Sequence, residues 1–372
     1  MFDIRGARRV LAPALCLMLV ASAAACGDDD DAETSGDGGG GGGDLKIALL
    51  LPETKTARYE TQDRPLFEAK VADICPDCEI LYSNADQDAA EQQSQAEAAL
   101  TNGADVLVLD PVDSASAGTI VTQAKSQDVP VISYDRLITD AEIDFYISYD
   151  NEKVGELQAT ALVEKLEADG VTSGSLVMIN GSPTDNNATL FKEGAHSVLD
   201  DSAYDIPVEY DTPDWSPDEA QREMEQATTQ LGADGFVGVY AANDGTAGGA
   251  IAAMKAGGVD PLPPVTGQDA ELAAIQRILA GEQYMTVYKA IKPEAEIAAE
   301  VAVALAGGDE PPEEWVNDQV DNGQGEIPSQ ILDPVSVTAE NVNDTVVADG
   351  FWSVEEICEG SFASVCEAAG IG

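Results

Sequence analysis

The residues best equipped for chemistry in this 372-residue chain fall at the ends of short apolar runs. Asp135 and Arg136 follow Val131–Tyr134, and Asn243 and Asp244 follow Phe236–Tyr240. Gln268 and Asp269 follow Val265–Thr266, and Lys289 follows Met285–Tyr288. Asp135 and Asp269 raise the option of glycoside hydrolysis, which needs one carboxyl of the pair protonated. Arg136 and Lys289, at neighbouring strand ends, are expected to sit beside them and hold both ionised, with no acid left to give up a proton. The single histidine, His196, sits in a helical stretch with no Ser or Cys partner and reads as a surface or satisfied helix residue. No G-x-S-x-G elbow, H-E-x-x-H, Walker loop or early G-x-G-x-x-G occurs. Gly38–Gly43 follow no strand and build no phosphate cradle. Carboxylates, amides and cations in one place instead suit charge-assisted, often bidentate hydrogen bonds to vicinal hydroxyls. Tyr59 and Trp215 each open a helical stretch after a strand, one in each half, and offer aromatic faces on opposite walls for an apolar ring face.

Gathering those residues requires a fold that collects strand ends. From Leu45 the pattern predicts strands at Lys46–Leu51, Glu79–Tyr82, Val106–Leu109, Val131–Tyr134 and Phe145–Ser148. Helices are expected near Arg58–Asp73, Ala89–Asn102 and Ala115–Gln127. A second set repeats the scheme, with strands at Ser175–Ile179, Pro207–Tyr210, Phe236–Tyr240 and Val265–Thr266. Its helices lie near Glu152–Glu167, Asn187–Leu199, Pro217–Leu231 and Gly245–Ala256. Near-continuous apolar strands separated by helices imply parallel sheets covered on both faces. The fold class is therefore α/β, with two doubly wound parallel-sheet lobes and a site at the carboxyl ends of the strands.

The N-terminus carries an export pattern. Arg5, Arg8 and Arg9 precede the apolar run Val10–Val20 and the small residues Ala21–Ala25, ahead of Cys26. The run is shorter than the roughly 20 residues a bilayer span takes. The arrangement resembles a bacterial lipoprotein signal, which implies lipidation of Cys26 and anchoring to the outer face of the cell membrane. Residues 1–25 are thus the expected signal peptide and 26–44 an acidic, glycine-rich tether that cannot bury a core. Cleavage removes three arginines and one aspartate and takes the formal charge from −51 to −53. Such a surface excludes a nucleic-acid or other polyanionic partner. Beyond Cys16 and Cys26, the cysteines form two close pairs, Cys75 with Cys78 and Cys358 with Cys366, and an exported chain favours reading both as disulfides. Cys75 falls after a helix rather than at a helix N-terminus, which speaks against a redox role.

From about residue 45 to 345 the chain resembles the D-xylose-binding and multiple-monosaccharide-binding group of periplasmic binding proteins. The resemblance is carried by Ala57-Arg58-Tyr59, Tyr134-Asp135-Arg136, Asp150-Asn151-Glu152-Lys153-Val154-Gly155 and Gly181-Ser182-Pro183-Thr184-Asp185-Asn186-Asn187. Asn243-Asp244-Gly245-Thr246, Gly267-Gln268-Asp269 and Met285-Thr286-Val287-Tyr288-Lys289 complete it. It implies a type I periplasmic-binding fold whose lobes, joined by a three-crossing hinge, close over an aldopyranose. The implied sugar contacts are Arg58, Asp135, Arg136, Asn187, Asn243, Asp269 and Lys289, with the ring between Tyr59 and Trp215. It further implies a monomer that serves ABC permease subunits, needs no cofactor or metal and catalyses nothing. D-Xylose is the expected ligand, with glucose, galactose and arabinose as alternatives, and sensing through a receptor or sensor kinase as an alternative role. The lobes are expected at 45–149 plus 270–318 and at 150–269 plus 328–345, with crossings near Asp150, near Asp269 and within Ile331–Thr338. Helices Leu272–Ala280 and Glu294–Ala306 should cover the first lobe, and 346–372 should form a disulfide-bearing tail.

Overall fold

The first strand, β1 (Lys46–Leu51), is buried along nearly its whole length, as a strand covered on both faces must be. The computed structural model describes residues 45–371, so the signal segment, the tether and Cys26 lie outside the described residues. A wide π turn at Tyr59–Asp63 leads into α1 (Arg64–Ile74), which carries Pro65 in its first turn. The alternation continues through β2 (Glu79–Asn84), α2 (Ala89–Thr101), β3 (Val106–Leu109), α3 (Gly118–Lys125), β4 (Val131–Tyr134) and β5 (Phe145–Tyr149). It resumes with α4 (Asn151–Ala168), β6 (Gly174–Asn180), α5 (Asn186–Leu199), β7 (Tyr204–Asp211), α6 (Pro217–Leu231), β8 (Gly238–Ala241) and α7 (Asp244–Ala256). The remaining elements are α8 (Leu272–Leu279), β9 (Met285–Tyr288), α9 (Ile291–Ala306), β10 (Asp318–Asp321), β11 (Glu326–Leu332) and β12 (Val335–Thr338). The tail holds the short helices α10 (Val354–Ile357) and α11 (Ala363–Ala369).

The strands form two sheets, the cores of two lobes. The first runs β10-β11-β5-β4-β3-β1-β2 and is parallel except for β10, which returns antiparallel on β11. The β10–β11 hairpin lies outside the expected strands, because β10 is largely exposed and β11 fully buries only Ile327 and Ser329. The second sheet is β7-β6-β8, which bridges from Val239 to Val265 and from Gln268 to Val287 and so continues onto β9 and β12. Apolar residues of α1 and α9 cover one face of the first sheet, while α2 and α3 cover the other. The second sheet is sandwiched between α4 with α5 and α6 with α7.

This pairing corrects the lobe boundaries. The chain does not return to the first lobe at Asp269, because Gln268 and β9 extend the second sheet, and the return comes between Lys289 and α9. Consequently α8 does not cover the first lobe, and packs instead with the tail and the crossing strands through Ile275 and Ile278. Residues 328–332 belong to the first sheet through β11, and the last crossing falls between Leu332 and Val335. The tail closes over this hinge region. Phe351 packs edge-on against Tyr288 at 5.1 Å, Trp352 Nε1 donates to the Ala270 carbonyl, and Gln62 of the first lobe donates to the Phe351 carbonyl. Disulfides join Cys75 to Cys78 and Cys358 to Cys366.

Helices α4 and α5 cross where two glycines meet. A β-carbon on Gly155 would sit 1.9 Å from the Phe191 carbonyl oxygen, and one on Gly194 2.0 Å from that of Glu152. Gly155→Ala therefore forces the helices apart beneath the second sheet. The expected loss of stability is at least about 1–3 kcal/mol, read from the urea midpoint of unfolding.

Candidate functional site

Each site residue stands where a strand ends or a helix begins. Asp135 and Arg136 leave β4, Asp269 leaves the Val265–Gln268 bridge strand, and Lys289 leaves β9. Asn187 lies in the first turn of α5, and Asn243 caps α7 by accepting from Thr246 N. Arg58 and Tyr59 stand at the π turn before α1, and Trp215 in the turn before α6. All nine line one cavity of about 260 Å³ between the lobes. Thr56, Asp185, Phe191 and Gln268 complete the lining. Of these, Gln268 had stood out as a strand-end amide, and Asp185 carried a visible signal as the aspartate before a helix. Phe191 lies one helical turn beyond Asn187 and reads from sequence as ordinary core.

Arg58 organises the first-lobe wall. Its Nε and Nη2 donate to Asp63 at 3.0 and 2.6 Å, and Nη2 also donates to Glu294 at 2.9 Å. Nη1 is left with no hydrogen-bond partner, 3.5 Å from Asp135 and 3.7 Å from Asp269. Asp135 Oδ1 and Asp269 Oδ1 are likewise buried and unpartnered. Lys289 Nζ stands 3.3 Å from Asp269 Oδ1 and 3.7 Å from Asp135 Oδ1. A guanidinium N–H and two carboxylate oxygens thus converge on the cavity with bonding capacity unspent, next to an ammonium group. Buried polar atoms are rarely left so unless a ligand completes them.

The second cation, Arg136, bridges the lobes. Its Nε lies 3.0 Å from Asp185 Oδ2, which also accepts from Trp215 Nε1 at 3.0 Å. Asp110 and Glu53 flank the same guanidinium at 3.6 and 3.7 Å. Trp215 adopts φ +51°, rare for a bulky residue. Its ring fits against Gly181, where a β-carbon would lie 2.0 Å from Cη2. Tyr59 contributes a hydroxyl as well as a face, because its Oη donates to Asp135 Oδ2 at 3.0 Å. Asn187 spends much of its amide on protein, donating to the Asp135 carbonyl and accepting from Asn151.

The electrostatics amend the expectation about acids. Burial alone would raise Asp135, but Arg58, Lys289 and Arg136 outweigh it and lower its pKa to about 2. Arg58 rather than Arg136 leads among these cations, a partner that adjacency in sequence did not reveal. The wider expectation that no protonatable acid remains does not hold. Burial pushes Asp110 and Glu294 well above the usual carboxylate range, and raises Asp185 despite Arg136. Just behind the cavity, Asp244 rises to about 7 and the half-buried Glu271 to about 8, burial being the leading cause in both. Asp185 already accepts from Asn187 N, Trp215 and Arg136. His196 lies outside the cavity between Asp200 and Glu209, as an ordinary helix histidine.

Comparison with known proteins agrees with this architecture. Residues 47–310 match the periplasmic binding protein domain family. The chain is 40% identical over 318 residues to the D-xylose-binding periplasmic protein of Escherichia coli, spanning 84% of this chain and 93% of that one. It is 33% identical over 289 residues to a multiple sugar-binding periplasmic receptor of Rhizobium radiobacter, spanning 73% and 81%. Among solved structures, an ABC transporter solute-binding protein of Clostridium phytofermentans with bound β-D-glucose superposes with a TM-score of 0.77 at 31% identity, over 84% of this chain and 99% of that one.

The raised acids make a pH prediction. Unfolded, Asp244 and Glu271 would titrate near 4, whereas folded they do so near 7 and 8. Between those limits the folded protein binds more protons than the unfolded chain, so stability falls as pH rises from about 5 to about 8. Urea unfolding at the two pH values should show that decline, and Asp244→Asn should flatten it whatever it does to absolute stability.

Proposed function

The chain belongs to the periplasmic binding protein family, and from that premise we propose that it captures one aldopyranose, D-xylose, in the interlobe cavity and hands it to an ABC importer without chemical change. The observation that carries this reading is the convergence of Arg58 Nη1, Asp135 Oδ1 and Asp269 Oδ1, all buried and unpartnered, between aromatic residues of both lobes. A pyranose supplies what such a site lacks. Its vicinal hydroxyls donate to the two carboxylates and accept from the guanidinium and ammonium, while its C–H faces rest on Tyr59 and Trp215. Because both lobes contribute, the ligand makes more contacts closed than open and shifts the population toward closure. Catalysis is not part of the proposal, since the carboxylate pair facing the cavity is cation-paired and Asp135 is held ionised.

The D-xylose-binding relative favours a pentose; the relative solved with glucose makes glucose the competitor. Isothermal titration against D-xylose, D-glucose, D-galactose and L-arabinose should show D-xylose tightest, and a hexose binding more tightly would reverse the assignment. Asp269→Ala removes one of the unpartnered acceptors and strands Lys289 and Arg58. It should cost about 2–5 kcal/mol of binding, roughly 30-fold or more in Kd, with the fold intact by circular dichroism. Unchanged affinity would mean that the sugar binds elsewhere.

Anchoring is the second part of the proposal and rests on the residues around Cys26. In the native host Cys26→Ser should move the protein from the membrane fraction to the soluble fraction and abolish labelling by radioactive palmitate. Continued membrane association of that variant would leave the lipid anchor without support.

A further inference from the structure

We infer that Val112 and Ser114 of the first lobe and Thr184 and Asn186 of the second, on the loops Pro111–Ala117 and Gly181–Asn186, form a latch that touches no ligand, with Ser114 as its central positioning residue. This rests on the reading above that the lobes close around a sugar. The backbone N–H of Ser114 donates to the Thr184 carbonyl at 2.9 Å. Its hydroxyl accepts from the Asn186 N–H at 3.1 Å. The Thr184 hydroxyl donates in turn to the Val112 carbonyl at 3.3 Å.

Both loops are held in place from behind. The Ser114 carbonyl accepts from Thr139 N, and Asp113 accepts from Ala115 N and Ser116 N, so the first loop is fixed to its own lobe. The second is fixed by Asp185, which caps α5 through Asn187 N. The amide of Asn186, the first residue of α5, is one of the orphan donors every helix N-terminus carries. A serine from the opposite lobe satisfies it. When the lobes part, that amide loses its protein partner and must turn to water.

The latch is separate from ligand contact. Val112, Ser114 and Thr184 are absent from the cavity lining, whereas the adjacent Arg136–Asp185 pair belongs to it. Latch bonds must break before the lobes part, yet they form only as closure completes. They therefore slow dissociation, leave encounter unaffected and act equally on every sugar the cavity admits.

The test is Ser114→Ala by stopped-flow binding with D-xylose and D-glucose. Loss of one hydrogen bond of typical net strength should raise koff about fivefold for both sugars, with kon within about twofold and the ratio of the two affinities unchanged. Ser114→Thr, which keeps the hydroxyl, should restore slow release. Thr184→Val, at an exposed position, should give the same pattern with a smaller rise and guards against a folding defect. Hydrogen exchange reads the latch directly: with saturating D-xylose, the Asn186 amide should exchange several-fold faster in Ser114→Ala than in the wild type. Unchanged exchange, or a koff effect differing between the sugars, overturns the latch. If the wild type binds none of the panel, the sugar reading fails, whereas binding with both exchange and koff unchanged in Ser114→Ala sinks the latch alone.

Discussion

A buried guanidinium with one N–H direction unspent is the constraint on which the rest of this site depends. Arg58 is removed from water with Asp63 and Glu294 holding two edges of its fork, so its third edge can point only into the cavity. Burying a charge is tolerable when opposite charges and hydrogen bonds surround it. Here seven buried carboxylates, Glu53, Asp63, Asp110, Asp135, Asp185, Asp269 and Glu294, share three buried cations, Arg58, Arg136 and Lys289. With positive charge short, burial pushes Asp110 and Glu294 well above the usual carboxylate range, while Asp135, which faces all three cations, is lowered to about 2.

Local backbone cost is concentrated at the same place. Asp135, Trp215 and Asp269 all adopt positive φ, as does Ala270 next to the last of them. Left-handed backbone in non-glycine residues persists only where surrounding contacts over-determine it. For Asp135 those contacts are Tyr59, Asn187 and Ser148, and for Trp215 they are Asp185 and the bare face of Gly181. Orienting a side chain into the cleft straight off a strand end leaves little room for ordinary backbone.

Much of this was legible beforehand because strand ends are local. An apolar run followed by Asp-Arg, Asn-Asp or Gln-Asp announces both a strand and the polar residue at its carboxyl end, and all nine candidate residues do line one cavity. What stayed hidden depends on distant parts of the chain. Glu294 reaches Arg58 across 236 positions from inside an amphipathic helix, with no local mark of its task. The four-residue run Met285–Tyr288 reads the same whichever sheet it joins, and only its pairing with β12 and Gln268 places it in the second. The hydroxyl of Tyr59 carries no local mark of its bond to Asp135, 76 positions away. The β10–β11 hairpin carries only a weak local signal, because β10 is an exposed edge strand and Pro328 interrupts β11.

The direction of β1 carries a mechanical consequence. The chain enters the described fold at Lys46, and β1 runs from there toward the cavity, so the entry point and the strand ends that build the site lie at opposite ends of the first sheet. Force applied from the N-terminal side loads the first lobe and bypasses all three crossings. A chain held at that end would make the first lobe the stator and the second the rotor.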